Sequence, residues 1–268
     1  SPTSPPTFGI IIIGDEILSG KRQDKHLAKC IELLAERGLG LSFADYVGDD
    51  PERITATLQR AFETSGVVFS CGGIGATPDD HTRQCAADAL GVSLVLHPQA
   101  REKIHERIAD VAREAGKEPD FSAADNLHRL KMGEFPEGAE IIPNPYNKIP
   151  GFTCRRKAGA VHFVPGFPVM AWPMMEWVID QRYAAIGAVR AVESAIIVRE
   201  AGESQLIDLM NECLRAYPQV KVFSLPRVTP ERYVELGVRG DAVQVAPAIA
   251  MLKAGVSALG FPWTPFQA

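Results

Sequence analysis

The sequence predicts an α/β fold: a three-layer α/β/α arrangement with a mostly parallel sheet, followed by a small C-terminal α+β domain. The first half of the 268-residue chain alternates short apolar runs with amphipathic helical stretches, which is typical of a parallel sheet. The run FGIIII at residues 8–13 is continuously apolar, as expected of a strand buried on both faces. After Gly187 the order becomes strand, helix, strand, strand, helix, which indicates a second unit.

Each early element has its own start or stop signal. Apolar residues at helical spacing precede Gly38, and glycine is a common residue at a helix C-terminus. Asp50 before Pro51 is typical of an N-cap followed by proline at the first helical position. Gly66 and Gly91 end the next two helices. These signals predict strand 8–13, helix 26–37, strand 41–47, a helix from residue 51, strand 67–71, helix 80–90 and strand 92–96.

The later elements follow from the same patterns. A turn of sequence PGFP, at residues 165–168, precedes the last helix of the first unit. The elements predicted there are helices 98–115 and 121–132, strands 140–142, 152–155 and 161–164, and helix 169–183. The second unit is predicted to contain strand 191–199, helix 204–217, strands 220–225 and 233–239, and helix 242–254. The predicted organisation is a disordered tail (1–7), a large domain (8–186) and a small domain (187–268).

Composition excludes several classes of protein. The net charge of −5 argues against a general nucleic-acid binder, which usually carries a basic excess. No apolar stretch approaches the ~20 residues of a membrane span, and the polar, proline-rich opening SPTSPPT is not typical of a signal peptide. The five cysteines are odd in number and scattered. We therefore expect a reduced, cytoplasmic protein without nucleic-acid or membrane partners.

A glycine-rich segment, SCGGIGATPDDHT at residues 70–82, follows the third predicted strand. In a parallel sheet, ligands bind beyond the carboxyl ends of the strands, so the loops at Gly14, Gly48 and this segment should meet at one edge. Gly72, Gly73 and Gly75 allow backbone N–H groups to approach an anion, and the following helix adds its positive end. The segment therefore predicts a phosphate or pyrophosphate site, although it matches neither the Walker pattern nor GxGxxG.

Several charged residues near this loop have two interpretations. Asp79 or Asp80 could cap the following helix, but one cap explains one aspartate, and a second could hold a divalent cation that bridges to phosphate oxygens. Glu16 and Asp49 are either ligands of a metal or ribose hydroxyl, or simply turn carboxylates. The same choice, between neutralising phosphate charge and being solvated, applies to three basic residues: Lys21, Arg22 and Lys25.

Three segments at this predicted edge resemble a known family. They are GDEILSG at residues 14–20, VGDDPERI at 47–54 and GGIGATPDDHT at 72–82. Together they resemble the MoaB/Mog-type molybdopterin-binding fold, and in particular the branch at the N-terminus of the competence/damage-inducible CinA proteins. Later motifs of that branch match residues 138–139, 143–145, 150–152 and 164–168. The resemblance runs from Phe8 to about Asp180.

The resemblance implies roles for individual residues. Asp80 and Thr82 match the D-x-T of a loop that holds phosphate in the family, and Asp49 matches an acidic residue of the preceding loop. In the CinA branch the fold implies metal-dependent cleavage of the pyrophosphate in ADP-ribose-like dinucleotides, so an enzyme of the hydrolase class is expected. The expected catalytic residues are Asp80 and Asp49, and the expected ligands of Mg²⁺ or a similar divalent metal are Asp79, Asp80 and Asp49. The expected phosphate- and ligand-binding residues are Gly14, Glu16, Gly20, Gly72, Gly73, Gly75, Thr77, Thr82, Asn144, Gly151 and Gly166.

The resemblance also implies partners. The ligand is expected to be a nucleotide or a pterin phosphate, and relatives of this fold form dimers or trimers, so a homo-oligomer is expected. Full-length CinA proteins carry a C-terminal nicotinamide mononucleotide deamidase, which we do not expect in a chain of this length. Residues 187–268 instead resemble the small α+β linker domain of that branch, which is described as KH-like.

Three ligand-facing segments depart from the family pattern: residues 23–26, 126–132 and 147–149. Because they have all changed, two other functions compete with the pyrophosphatase. One is molybdopterin binding or adenylyl transfer in molybdenum-cofactor biosynthesis. The other is nucleotide binding without catalysis.

Overall fold

The computed structural model describes residues 6–186, 191–228 and 230–266. These residues form two compact units that divide after Ile186. Residues 1–5 of the predicted tail, and the predicted boundary residue Gly187, lie outside the described residues. The carbonyl of Thr7 accepts a hydrogen bond from the N–H of Val67 at 2.8 Å, so the folded chain includes the last residue of that tail.

The first unit alternates strands and helices, as the sequence predicts. Helix α1 and strand β5 were not predicted. In chain order the elements are β1 (Phe8–Ile13), α1 (Asp15–Leu18), α2 (His26–Ala35), β2 (Leu41–Val47), α3 (Pro51–Glu63), β3 (Val67–Cys71), α4 (Thr82–Leu90), β4 (Leu94–Leu96), α5 (Pro98–Glu114), α6 (Ala124–Lys131), β5 (Glu134–Pro136), β6 (Glu140–Ile142), β7 (Gly151–Arg156), β8 (Gly159–Val164) and α7 (Pro168–Arg182).

The main sheet has the strand order β2-β1-β3-β8-β7-β6. β1 pairs in parallel with β2 and β3, and β3 pairs in parallel with β8. β7 and β6 complete the sheet as antiparallel strands. The prediction of a mostly parallel sheet is confirmed, and the carboxyl ends of β1, β2, β3 and β8 lie at the same edge.

Helices cover both faces of this sheet. Ile11 and Ile13 of β1 belong to a core that includes Ile54 and Leu58 of α3. Ile10 and Ile12, which point to the opposite face, belong to a second core with α2 and α7. The central strand is apolar at every position because each of its faces is covered by helices, and the three-layer prediction is confirmed.

Two elements differ in detail from the prediction. The predicted strand within residues 92–96 is present as β4, but it pairs antiparallel with β5 in a separate two-stranded sheet and not with the main sheet. Helix α4 begins at Thr82 rather than at Asp80, and His81 at its cap position makes no side-chain hydrogen bond to the helix. The interpretation of Asp79 or Asp80 as a helix cap is therefore wrong, because the carboxylates of both are used within the loop before the helix.

The second unit is the predicted small α+β domain. Its elements are β9 (Val192–Arg199), a 3-10 turn (Glu203–Gln205), α8 (Ile207–Ala216), β10 (Lys221–Arg227), β11 (Tyr233–Gly240), α9 (Ala242–Ala258) and the unpredicted β12 (Trp263–Pro265). The sheet is antiparallel with the order β10-β11-β9-β12. Leu252 of α9 and Cys213 of α8 share one core with Ile196 and Leu236 of the sheet.

All five cysteines are buried with free thiols. Burial raises the pKa of Cys30 to about 12, and burial raises the pKa of Cys71 well above its ordinary value. A thiol that is not ionised near pH 7 is a poor nucleophile. Cys71, at the end of β3, therefore acts as a small apolar core residue, as the sequence favours.

None of the helices within residues 6–186, 191–228 and 230–266 combines the length and the apolar character that crossing a membrane requires.

Candidate functional site

The loops after β1, β2 and β3 meet at one edge of the sheet, as the sequence predicts. The N–H of Gly14 donates to the carbonyl of Val47 at 3.0 Å, which fixes the end of β1 beside the end of β2. The N–H of Asp15 donates to Oδ2 of Asp49 at 3.0 Å, and the N–H of Asp49 donates to Oδ1 of Asp15 at 2.9 Å. This reciprocal pair cross-links the first two loops at their acidic residues.

A cleft of about 570 Å³ opens between these loops. Its volume is in the range of small-molecule sites. The lining combines the glycine loop, several carboxylates and an apolar wall. The residues are Ile13, Gly14, Glu16, Arg22, Asp49, Gly72, Gly73, Ile74, Gly75, Ala76, Thr77, Asp79, Asp80, Met132, Asn144, Asn147, Ile149, Pro150, Pro165, Gly166, Phe167 and Met170.

The glycine loop leaves β3 through a backbone conformation that favours glycine. Gly72 has φ +106° and Gly73 has φ +70°, and a Cβ atom at Gly72 would lie 2.3 Å from the carbonyl oxygen of Ile13. Within the described part of the chain, the N–H groups of Gly73, Ile74 and Gly75 donate no hydrogen bond. These N–H groups are therefore free to bind an anion in the cleft.

Residues at the start of helix α4 donate hydrogen bonds to the carbonyl groups of the same loop. Thr82 is fully buried; its hydroxyl donates to the carbonyl of Gly72 at 3.1 Å, and its N–H donates to that of Gly73 at 2.9 Å. Arg83 donates from Nη2 to the carbonyl of Gly75 at 2.9 Å and from Nη1 to the carbonyls of Lys131 and Glu134. Because the carbonyls are bound from this side, the loop is preorganised. Thr82 thus lies behind the predicted ligand rather than in contact with it.

Asp79 and Asp80 close the glycine loop through Thr77. The hydroxyl of Thr77 lies 2.6 Å from a carboxylate oxygen of each aspartate, and the N–H of Thr77 donates to Oδ2 of Asp80 at 2.9 Å. The hydroxyl has one proton, so it donates to one carboxylate at a time. Its hydrogen bond holds the pKa of Asp79 below the ordinary value. Asp79 is therefore available as an anion, and the carboxylates of both aspartates lie at the lining of the cleft.

The negative charges of carboxylates from two other loops act on Asp49 at the lining of the cleft. Burial raises the pKa of Asp49, the N–H of Asp15 opposes this rise, and the negative charges of Asp15, Glu16 and Asp79 add to it. Like charges thus lie within electrostatic reach of one another beside the glycine loop. A cation bound among them would relieve this repulsion.

Whether a divalent metal fits this cleft depends on the carboxylate oxygens that line it. Among the described residues, no group of three or more His, Cys, Asp or Glu side chains is arranged to hold a metal ion. Mg²⁺, however, is commonly held by one or two carboxylates together with substrate phosphates and water. Asp49, Asp79 and Asp80 all line the cleft beside free backbone N–H groups, and one or two of them fit such a metal when it enters with a phosphorylated ligand. The prediction of a divalent metal stays a prediction.

The structure places the other predicted ligand residues in two groups. Gly14, Glu16 and Gly166 line the cleft together with the glycine loop. Asn144 also lines it, but its amide donates to Asn147 and to the carbonyl of Ile149 and accepts the N–H of Tyr146, so it shapes its own loop. Two predicted glycines do not line the cleft: Gly20 lies in an open turn, and Gly151 packs against Phe163.

Two residues that the sequence patterns did not indicate, Asp15 and Arg83, are part of the site. Asp15 pairs with Asp49, and Arg83 holds Gly75. Arg22 lines the cleft, whereas Lys21 and Lys25 do not. The position of Asp15 beside Glu16 in the matching GDEILSG segment was the available signal for it. A buried arginine at the start of a helix has no such signal, because its partners are carbonyls distant in sequence.

The three segments that depart from the family pattern lie beside the cleft. His26 contacts the carbonyl of Gly166 at 2.9 Å through Nε2, and it is 5% exposed. In the third segment, Oδ1 of Asn147 accepts the N–H of Ile149 at 3.0 Å. Met132, from the second, lines the cleft. The altered residues therefore make ordered contacts at the site.

A comparison with protein families matches residues 9–185 to the family described as "Probable molybdopterin binding domain". The chain belongs to this family. The match covers the unit that contains the cleft and ends before the second unit begins.

Individual relatives agree with this assignment. The chain is 36% identical over 164 residues to a CinA-like protein of Gloeobacter violaceus, which covers 61% of this chain and 36% of the relative. It is 33% identical over 183 residues to a CinA-like protein of Anaeromyxobacter sp. strain K, covering 68% of this chain and 42% of the relative. The chain therefore spans less than half of the length of these relatives.

A solved structure has the same fold. The crystal structure of the protein CinA, of unknown function, from Thermoplasma acidophilum matches with a TM-score of 0.56 and 26% identity. The match covers 65% of this chain and 97% of that one. The predicted resemblance to the MoaB/Mog-type fold and its CinA branch is confirmed.

Proposed function

We propose that the cleft binds the pyrophosphate of an ADP-ribose-like nucleoside diphosphate compound and hydrolyses it with the help of a divalent metal. The observation that carries this proposal is that two complementary features line the same cleft. The free N–H groups of Gly73, Ile74 and Gly75 suit phosphate oxygens, and the carboxylates of Asp49 and Asp79–Asp80 suit a cation.

The reaction balances without a redox partner. Water adds to one phosphorus atom, the bridging P–O bond breaks, and ADP-ribose yields AMP and ribose 5-phosphate. Asp79 and Asp80 would hold the metal together with the substrate phosphates, and the metal when bound would polarise a phosphoryl oxygen and lower the pKa of water.

The residues of the chain supply binding and proton transfer. The glycine loop holds the phosphate oxygens through N–H groups that are preorganised by Thr82 and Arg83. Arg22 contributes a positive charge at the lining. Asp49, whose pKa is raised by burial and by neighbouring carboxylates, is a better proton acceptor than an ordinary aspartate and would accept the proton of the attacking water.

Turnover by the wild-type chain tests this proposal. ADP-ribose, NAD, FAD and ATP are each incubated with Mg²⁺, Mn²⁺ or Co²⁺, and AMP release is measured by chromatography. We expect release from ADP-ribose that requires the metal, and we expect Asp80→Asn and Asp49→Asn to reduce it at least 100-fold. Asn keeps the shape of the side chain and can still accept the loop N–H bonds, so the loss would reflect the missing charge.

A matched control separates a loss of catalysis from a general effect of an Asp→Asn substitution. Asp208→Asn makes the same substitution at an exposed position in α8 of the second unit, and it should leave turnover unchanged. Wild-type activity in Asp80→Asn would remove the metal-binding role from Asp80, and wild-type activity in Asp49→Asn would remove the role of Asp49 as proton acceptor. No metal-dependent AMP release from any compound would reject the pyrophosphatase.

The family description supports a second candidate, which is binding of molybdopterin or adenylyl transfer to it. Molybdopterin and an ADP-ribose-like compound both carry phosphate, so the same glycine loop would bind either. A molybdopterin that co-purifies with the chain, together with no turnover of dinucleotides, would favour this candidate. Tight nucleotide binding without turnover or pterin would instead favour a non-catalytic nucleotide-binding protein.

A further inference from the structure

One wall of the cleft is apolar and includes a large aromatic side chain that packing does not explain. Phe167 lines the cleft, and 52% of its side chain is exposed. It follows Gly166 in the PGFP turn before α7. The rest of this wall is formed by Ile149, Pro150 and Met170. An exposed phenylalanine at the lining of a ligand cleft offers a flat surface to the ligand.

Arg22 lies over this ring. Its guanidinium carbon is 5.7 Å from the centroid of Phe167, within the range of a cation–π contact. The N–H of Arg22 donates to the carbonyl of Glu16 at 2.9 Å, which fixes the backbone of its loop. Among the described residues, Arg22 has no carboxylate within ion-pair distance. Its charge is therefore available to a ligand anion beside the ring.

The ring is held close to the glycine loop. A Cβ atom at Gly166 would lie 3.5 Å from Cα of Gly72, so the PGFP turn touches the phosphate-binding segment directly. His26 contacts the carbonyl of Gly166 at 2.9 Å and holds the turn from the other side. Phe167 is one residue further along, about 3.8 Å between Cα atoms. A ligand whose phosphate binds at Gly73 thus meets the ring within the same cleft.

We propose that Phe167, backed by Arg22, is the stacking platform for a planar heteroaromatic ring, and that it makes the cleft prefer phosphates that carry an aromatic ring over phosphates that do not. This inference rests on the proposed function, because it assigns the ring end of the same phosphorylated ligand. Phenylalanine has no hydrogen-bonding group, so the platform accepts a nucleobase or a pterin alike. The two sources are distinguished by the probes below.

The test compares two aromatic residues that are both exposed. Phe167→Leu keeps apolar bulk and removes the aromatic face. Phe121→Leu makes the same change at a phenylalanine outside the cleft, which is 43% exposed and lies 4.8 Å from the ring of His105. Dissociation constants for AMP, neopterin phosphate and ribose 5-phosphate are measured by calorimetry with Mg²⁺ present. Phe167→Tyr is the conservative variant.

We expect Phe167→Leu to weaken binding of AMP or of neopterin phosphate by about 5- to 100-fold. Binding of ribose 5-phosphate should stay within twofold, and Phe167→Tyr and Phe121→Leu should behave as the wild type does. Loss for AMP alone identifies a nucleobase, and loss for neopterin phosphate alone identifies a pterin; either result supports the platform.

Two results would overturn the inference. One is unchanged binding of both AMP and neopterin phosphate in Phe167→Leu. The other is an equal loss for ribose 5-phosphate, because that would be a general effect on the cleft. Failure of the proposed function gives a different result. The wild-type chain would then not cleave ADP-ribose, but Phe167→Leu would still bind AMP or neopterin phosphate more weakly than Phe121→Leu does.

Discussion

At Gly72 the backbone of the glycine loop passes so close to strand β1 that there is no space for a side chain. The φ of +106° already disfavours any residue with a Cβ atom, and that atom would lie 2.3 Å from the carbonyl oxygen of Ile13. The neighbouring atom is backbone of a buried central strand, so it cannot move aside easily. The close approach places the free N–H groups of the following residues at the edge of the sheet.

Gly72→Ala is therefore expected to destabilise the first unit by about 2–4 kcal/mol, since backbone strain and a steric clash add together. Gly138→Ala is the matched control: its φ is +87°, and no atom lies within 4 Å of the added Cβ, so only the strain of about 1 kcal/mol remains. Urea unfolding, followed by fluorescence of Trp172 and Trp177 in α7, measures both. Equal losses in the two variants would mean that the loop yields to the methyl group.

The same loop shows where residue-level prediction from sequence ends. The glycines and the Asp79–Asp80 pair identify an anion and cation site because their residue types are unusual at a strand end. The hydrogen-bond partners of this loop did not follow from the sequence patterns. Thr77, two and three residues before the aspartates, binds both carboxylates, whereas the capping pattern pointed them towards α4. Arg83 binds carbonyls 48 and 51 residues away, which no local pattern can indicate.

At the scale of elements, local signals predicted well where the element has its own periodicity and cap. Asp50 is an example: its carboxylate accepts the N–H of Glu52 at 3.0 Å and that of Arg53 at 3.4 Å, as the Asp-Pro signal predicts. Strand β4 is the opposite case. Three residues carry too little pattern to choose a partner, and pairing with β5 across about 40 residues depends on tertiary packing.

The cap of α3 gives a prediction for an element. Asp50→Ala leaves two N–H groups of the first helical turn without a side-chain acceptor, so the first unit should lose about 1 kcal/mol of unfolding free energy. Asp50→Asn keeps an acceptor and should lose less than half of that. Urea unfolding measures these losses. Asp50 does not line the cleft, so the dissociation constant for AMP, measured by calorimetry, should not change. A loss of affinity without a loss of stability would place Asp50 in the site instead.

For the first unit as a whole, one buried histidine links the sheet to a helix that covers it. His162 of β8 is fully buried; its Nδ1 lies 2.7 Å from the hydroxyl of Thr153 in β7, and its Nε2 lies 2.6 Å from the hydroxyl of Tyr183 after α7. Burial, and then the charges of Arg182 and Arg155, lower the pKa of His162 to about 3. The imidazole is therefore neutral in the folded unit at pH 5, where it is protonated in the unfolded chain.

This difference predicts how stability depends on pH. The unfolded histidine takes up a proton as the pH falls through 6.5, but the folded one does so only near 3, so the free energy of unfolding decreases across that window. Between pH 7 and pH 5 we expect a loss of about 2 kcal/mol from His162. His162→Gln cannot titrate and should lack this part of the slope, although it is less stable at pH 7.

Urea unfolding at pH 7 and pH 5, followed by fluorescence of Trp172 and Trp177, makes the comparison. Carboxylates with a lowered pKa, such as Asp180 in its ion pair with Arg37, lose their stabilising effect below their ordinary value of 3.8 and so contribute little at pH 5. An identical pH dependence in the wild type and in His162→Gln would contradict the prediction. It would mean that the core opens to water at His162, since only a solvated imidazole could be protonated at pH 5 without unfolding.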